Sequence, residues 1–191
     1  SMRINTTGAN NVAVGDKALC ANTTASNNTA VGNAALCLNT TGTDNIAMGS
    51  CTLDANTTGN SNTAIGRLSL TANTTGSNNS AVGAGSLLTN TTGDSNVAFG
   101  VSSLRLNTTG DFNTGIGLCS IYTNTTGGCN TALGNDSLRA NTTGSENTTV
   151  GSASMLLNTT GASNAAMGRS ALRNNTTGAS NVAVGKNAGE A

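Results

Sequence analysis

A large apolar residue recurs at two fixed places in every seventeen residues, and mostly small, polar or glycine residues fill the space between. The triplet Asn-Thr-Thr recurs in register at Asn5, Asn22, Asn39, Asn56, Asn73, Asn90, Asn107, Asn124, Asn141, Asn158 and Asn175, with no insertion or deletion between these copies; one further copy, at Asn147, is out of register. Counted from that Asn, the unit reads N-T-T-G-x-x-N-x-A-h-G-x-x-s-L-x-x, where h is apolar and s is Ala, Ser or Thr, and the Gly of column 4 fails once, at Ala25. Column 10 is always apolar: Val14, Val31, Met48, Ile65, Val82, Phe99, Ile116, Leu133, Val150, Met167 and Val184. Column 15 is Leu19, Leu36, Leu53, Leu70, Leu87, Leu104, Leu138 and Leu172, with Ile121, Met155 and Gly189 in the other units. Column 9 is small: Ala13, Ala30, Ala47, Ala64, Ala81, Ala98, Ala132, Ala166 and Ala183, then Gly115 and Thr149. Column 7 is invariably Asn: Asn11, Asn28, Asn45, Asn62, Asn79, Asn96, Asn113, Asn130, Asn147, Asn164 and Asn181. Column 11 is invariably Gly.

This period is too short for two-helix repeats, which need ~33 residues or more. Unbroken Gly and Asn columns also disfavour helix. The alternation around N-x-A-h-G predicts one short strand per unit, with turns at Gly and Asn. A fixed period with one strand per unit is a β-solenoid. The chain is therefore expected to be all-β, with residues 5–191 forming one domain of eleven 17-residue coils. Coils stacked ~4.8 Å apart would make a rod of roughly 53 Å. Residues 1–4 read as cloning residue or part of a preceding coil. Large, invariably apolar columns 10 and 15 are expected to face inward as two core ridges. The strand pleat then turns the alanines of column 9 outward, as a flat surface for another copy of the chain or a regular ligand. Glycines in columns 4 and 11 are expected at corners with positive φ. The Asn columns are expected to sit at corners, tolerate the left-handed region and bond from coil to coil as ladders. Two ridges make a thin core, which association into a homo-oligomer would reinforce.

Composition removes whole classes of function. There is no His, so no Ser-His-Asp triad, Cys-His pair or His metal site. Eight Lys and Arg balance eight Asp and Glu, aromatics are 2% of the chain, and nucleic-acid binding is not expected. No apolar run approaches the ~20 residues of a membrane span, so membrane insertion is not expected either. The acidic residues Asp16, Asp44, Asp54, Asp94, Asp111, Asp136, Glu146 and Glu190 form no stacked pair for glycoside hydrolysis, and no per-unit Asp for calcium. The basic residues Arg67, Arg105, Arg139, Arg169, Arg173 and Lys186 are scattered and read as solubilising. Cys20 and Cys37 share column 16 in adjacent coils, where the strand spacing favours two thiols over a disulfide. Cys51 and Cys119 share column 13 four coils apart, and Cys129 stands alone. No enzyme activity, metal or cofactor is expected. Each Asn-Thr-Thr is formally a glycosylation sequon, although a coil-corner role for the Asn competes with that use.

Asn11-Val12-Ala13-Val14-Gly15 and Asn62-Thr63-Ala64-Ile65-Gly66 resemble the N-S-V-A-I-G motif of YadA-like trimeric autotransporter adhesin heads. The longer unit resembles arrays in phage tail-fibre and bacterial surface proteins, and the resemblance covers the whole chain. It implies a left-handed β-roll that trimerises along its axis. It also implies a structural or adhesive rod on a cell surface or virion fibre, part of a longer protein, displaying variable columns to a host-surface receptor or glycan. YadA-like coils are shorter, and seventeen residues leave room for a longer loop. A second reading comes from the low charge and the Thr and Ala columns: an ice-binding solenoid, with threonines ordering water.

Overall fold

The computed structural model describes residues 1–190; Ala191, the last residue of the expected domain, lies outside them. Eleven strands of three residues each, from β1 (Val12–Val14) to β11 (Val182–Val184), form one parallel sheet in chain order. Each residue pairs with the one seventeen positions on, as in Ala13 with Ala30 and Val14 with Val31. Hydrogen bonds run along the rod axis. The Val12 N–H donates to the Asn28 carbonyl at 2.8 Å, and the Gly32 N–H to the Val14 carbonyl at 2.8 Å. The turns join the same scheme, with the Leu36 N–H donating to the Thr52 carbonyl at 3.0 Å. The chain is thus a β-solenoid with one coil per unit, and no helix occurs among the described residues.

The strand pleat is the reverse of the sequence expectation. Column 9 points inward: Ala30, Ala47, Ala64, Ala81, Ala98, Ala132, Ala166 and Ala183 are buried, and Ala13 is half-buried in the first coil. These alanines are core and offer no surface to another chain. Column 10 points outward. Val14, Met48, Ile65, Phe99, Ile116, Leu133, Met167 and Val184 are exposed, and Val31, Val82 and Val150 are partly so. Phe99 reaches 57% exposure.

The cause is volume. Column 15 was expected inside and is: Leu19, Leu36, Leu53, Leu70, Leu87, Leu104 and Leu138 are wholly buried, and Leu172 is 8% exposed. These leucines fill the narrow interior up to the strand wall. At Gly115 an added Cβ would come within 2.7 Å of Ser103 Oγ and 3.4 Å of Leu104 Cγ. The wall therefore holds only small residues, Ala in nine coils with Gly115 and Thr149 in the others, and the large column 10 residue of each strand goes outside. Column 14 completes the interior with small residues whose hydroxyls bond across it. Ser120 Oγ donates to the Ala132 carbonyl at 3.1 Å, and Ser137 Oγ lies 2.7 Å from Thr149 Oγ1.

The corners also differ from expectation. Positive φ falls on columns 6, 13 and 15, where thirty-one non-glycine residues have φ between 47° and 62°. The asparagines of columns 1 and 7 are absent from that set. A left-handed residue costs roughly 1–2 kcal/mol. Burying a Leu side chain returns about 1.5–3 kcal/mol, so a column-15 leucine that turns inward this way gains overall. Column 11 glycines do have φ from 122° to 139°. Column 4 glycines have a different reason. At Gly93 an added Cβ would meet Asn90 Oδ1 at 2.5 Å and the Gly110 carbonyl oxygen at 2.6 Å, so the position is crowded, and only the second coil, with Ala25, carries a Cβ there.

Candidate functional site

Two asparagine ladders hold the coil corners and so set what each face can present. In column 1, Asn90 Nδ2 donates to Asn73 Oδ1 at 3.0 Å and to the Gly93 carbonyl at 2.9 Å. Its own Oδ1 accepts from Asn107 Nδ2 at 2.7 Å. The pattern runs without a gap from Asn5 to Asn175. In column 7, the Asn79 N–H donates to Asn62 Oδ1 at 3.0 Å, and Asn79 Nδ2 to the Gly93 carbonyl at 2.8 Å. That carbonyl therefore binds both ladders together. A buried amide whose donors and acceptor are all used contributes about 1 kcal/mol per bond and forbids a one-residue slip. The sequon asparagines from Asn22 to Asn158 are fully buried in this arrangement, which leaves no nitrogen for a glycan on the folded chain.

With the corners fixed, the sheet shows one outward face of two columns. Column 10 supplies the large apolar row. Column 8 supplies Val12, Thr29, Ile46, Thr63, Ser80, Val97, Thr114, Thr131, Thr148, Ala165 and Val182 beside it. Neither column contains a charged residue. Eleven strands at ~4.8 Å and two rows ~7 Å apart make a strip on the order of 400 Å², comparable with the largest patches on monomers, which are often functional. Sequence reasoning assigned this row to the core. The available signal was the size range of column 10, from Val to Phe, against a column 9 that never exceeds Thr.

The threonine pair splits as pleating requires. Column 2 hydroxyls bond to the next coil, as Thr57 Oγ1 does to the Thr74 carbonyl at 3.0 Å. Column 3 is exposed in every coil, from Thr7 to Thr177.

All five cysteines are free thiols. Burial pushes the Cys37 thiol up, and the neighbouring Cys20 pushes it further. The next residue of that column, Asp54, also has a carboxyl held above its usual range by burial, and its Oδ1 has no hydrogen-bond partner. No group of three metal-ligating side chains occurs among the described residues. No protein-family model matches the chain, and no curated protein or solved structure does either.

Proposed function

We propose that this chain is a rod segment of a non-enzymatic adhesive fibre, a surface-adhesin head or tail-fibre shaft, assembled from side-by-side copies of itself. The observation that carries this reading is the uncharged outer face of the sheet, where the unbroken apolar row of column 10 runs beside the mixed aliphatic and hydroxyl residues of column 8. Exposed apolar surface of this extent is costly in water and is relieved when another surface covers it. A second copy fits the strip best, because its rows have the same pitch and lie in register along the whole rod. The interface therefore moves from the alanine column to the strand's outer face. A trimer is the state that the YadA-like resemblance implies, and the variable columns of each rod would then meet the receptor.

Molar mass by light scattering after size exclusion tests this reading. A trimer of 18.6 kDa chains reads 55.8 kDa. Replacing Ile65 and Ile116 with Asp puts charge into the strip and should give a folded monomer. A parent that stays at 18.6 kDa at every concentration would overturn the reading. Ice binding keeps one specific observation, the exposed threonines of column 3. They form a single rank, and the alanines expected beside them are buried. A thermal-hysteresis assay on the monomer tests that alternative.

A further inference from the structure

The formal charge is zero, yet the charges are not mixed over the surface. The coil period sorts them. All eight cations fall in three columns: Arg67, Arg169 and Lys186 in column 12, Lys17 in column 13, and Arg3, Arg105, Arg139 and Arg173 in column 16. Columns 5 and 6, at the other end of the strand, hold Asp44, Asp94, Asp111 and Glu146 and no cation. Residues far apart in sequence are thus gathered on one side of the rod. From Arg67 to Glu190 that side carries six cations against Asp136 and Glu190, which leaves four positive charges. Among the described residues only Arg139 and Arg173 have a carboxylate within reach, at 3.5 Å from Asp136 and 4.0 Å from Glu190. Both pairs are substantially exposed, and such pairs are weak.

The cations flank two separate hollows. In each, columns 12 and 13 form one wall and column 16 the other. One opens to about 420 Å³ between Arg169, Arg173, Lys186 and Glu190, and the other to about 230 Å³ between Arg67 and Arg105, with Leu68, Leu88 and Val101 in its lining. The same three columns line both openings. Arg105, Arg139 and Arg173 recur every thirty-four residues, two coils or about 9.6 Å apart. Tyr122 sits between the first two, with guanidinium carbons 5.9 Å and 5.7 Å from its ring centroid. That contact braces both arginines. It also occupies the only Tyr of the chain, so no free aromatic is left in column 16 for base stacking. Hydroxyls and amides such as Ser152 and Asn187 complete the lining.

We infer that this cation-bearing side of the rod, with its two hollows, forms a groove for a linear acidic polysaccharide, with its sulfate or carboxylate groups on the column 12 and column 16 cations and its hydroxyls on polar residues such as Ser152 and Asn187. A flat polymer laid along the rod meets a cation at intervals comparable with a disaccharide. Single-stranded nucleic acid would meet the charges without the stacking it needs. The inference names a receptor class for the adhesive rod proposed above, but the groove is complete within one chain. Its failure and the failure of the fibre reading are therefore separable.

Heparin is the probe, measured by isothermal titration and by salt elution from an immobilised column, with neutral dextran and single-stranded DNA as comparators. The parent should bind heparin, more weakly as salt rises, and should ignore dextran. Replacing Arg67, Arg169 and Lys186 with Gln keeps residues of a size and polarity that column 12 accepts elsewhere. It should reduce the slope of log Kd against log salt by up to about three, one per lost contact. Glu146→Gln on the opposite edge should leave binding unchanged. The Ile65→Asp, Ile116→Asp monomer should still bind, which keeps the groove test independent of assembly. Absent heparin binding, an unaltered triple variant, or DNA binding as tight as heparin would each overturn the inference.

Discussion

Asn90→Asp changes one atom, replacing the Nδ2 donor with an oxygen at constant shape. In the parent that nitrogen serves Asn73 Oδ1 at 3.0 Å and the Gly93 carbonyl at 2.9 Å, in a fully buried site. Asn73 Oδ1 loses its ladder donor, and a buried acceptor left unpaired costs about 1–3 kcal/mol. The Gly93 carbonyl keeps its bond from Asn79 Nδ2 at 2.8 Å and forfeits one of two, about 1 kcal/mol. A loss of about 3 kcal/mol lowers the Tm of a chain this size by about 6–12 °C. The new carboxyl faces two acceptor oxygens, so burial and repulsion raise its folded-state pKa above the unfolded value of about 3.9. The native state then holds the proton more tightly than the unfolded state. Stability falls further as pH rises from the unfolded pKa through the folded one. Calorimetry from pH 4 to pH 8 reads both effects. Asn78→Asp is the control, because Asn78 is exposed in column 6, where Asp44 already stands. If Asn90→Asp at pH 8 melts within about 2 °C of that control, the ladder is not what holds the coils in register.

Leu87→Asp and Ile65→Asp separate inside from outside: the first buries a charge at a wholly enclosed site and should abolish cooperative unfolding, whereas the second, at 37% exposure, should leave the monomer's melting within the usual surface range. The same two melts would refute the pleat described here if their order were reversed. Asp54→Asn should raise stability at neutral pH. Asp54 has a raised folded-state pKa, so the parent gains stability as pH falls through that pKa, and the gap between the two proteins closes toward pH ~4 in a urea titration. Phe112 has a φ of 57° and is 63% exposed, so Phe112→Gly trades a left-handed cost of about 1–2 kcal/mol for about 0.5–1 kcal/mol of backbone entropy. Its Tm should rise, and a drop would mean that the side chain packs in a way its exposure does not suggest.

The period, the parallel stacking and the leucine ridge are legible in the chain itself, because the Asn of columns 1 and 7 and the Gly of column 11 recur in every unit and column 15 departs from Leu only at Ile121, Met155 and Gly189. The sense of the pleat was misread by equating size with burial. Phe99 is the largest residue of its column and among the most exposed, while Ala98 beside it is core. In a three-residue strand the wall position is limited by what the opposite leucine leaves free, and the telling sign is a column that tolerates nothing beyond Thr. The left-handed corners were placed on Asn by propensity, yet they fall on residues as unlike Asn as Leu and Ile121. Tertiary packing of column 15 overrides local preference there. Linear reading also made Arg105, Arg139 and Arg173 look scattered, since only the coil phase brings them together.

Every coil bonds to the one above and the one below, along the rod axis, and to nothing else in the chain. Tension applied at the two ends therefore loads these axial interfaces in series, and they give way one at a time. A coil peeled from the end releases seventeen residues, roughly 55–60 Å of extended chain, in place of ~4.8 Å of rod. Successive coils are close to identical, so successive ruptures should come at similar force and equal increments. Pulled from its ends, such a rod should lengthen stepwise and not yield all at once.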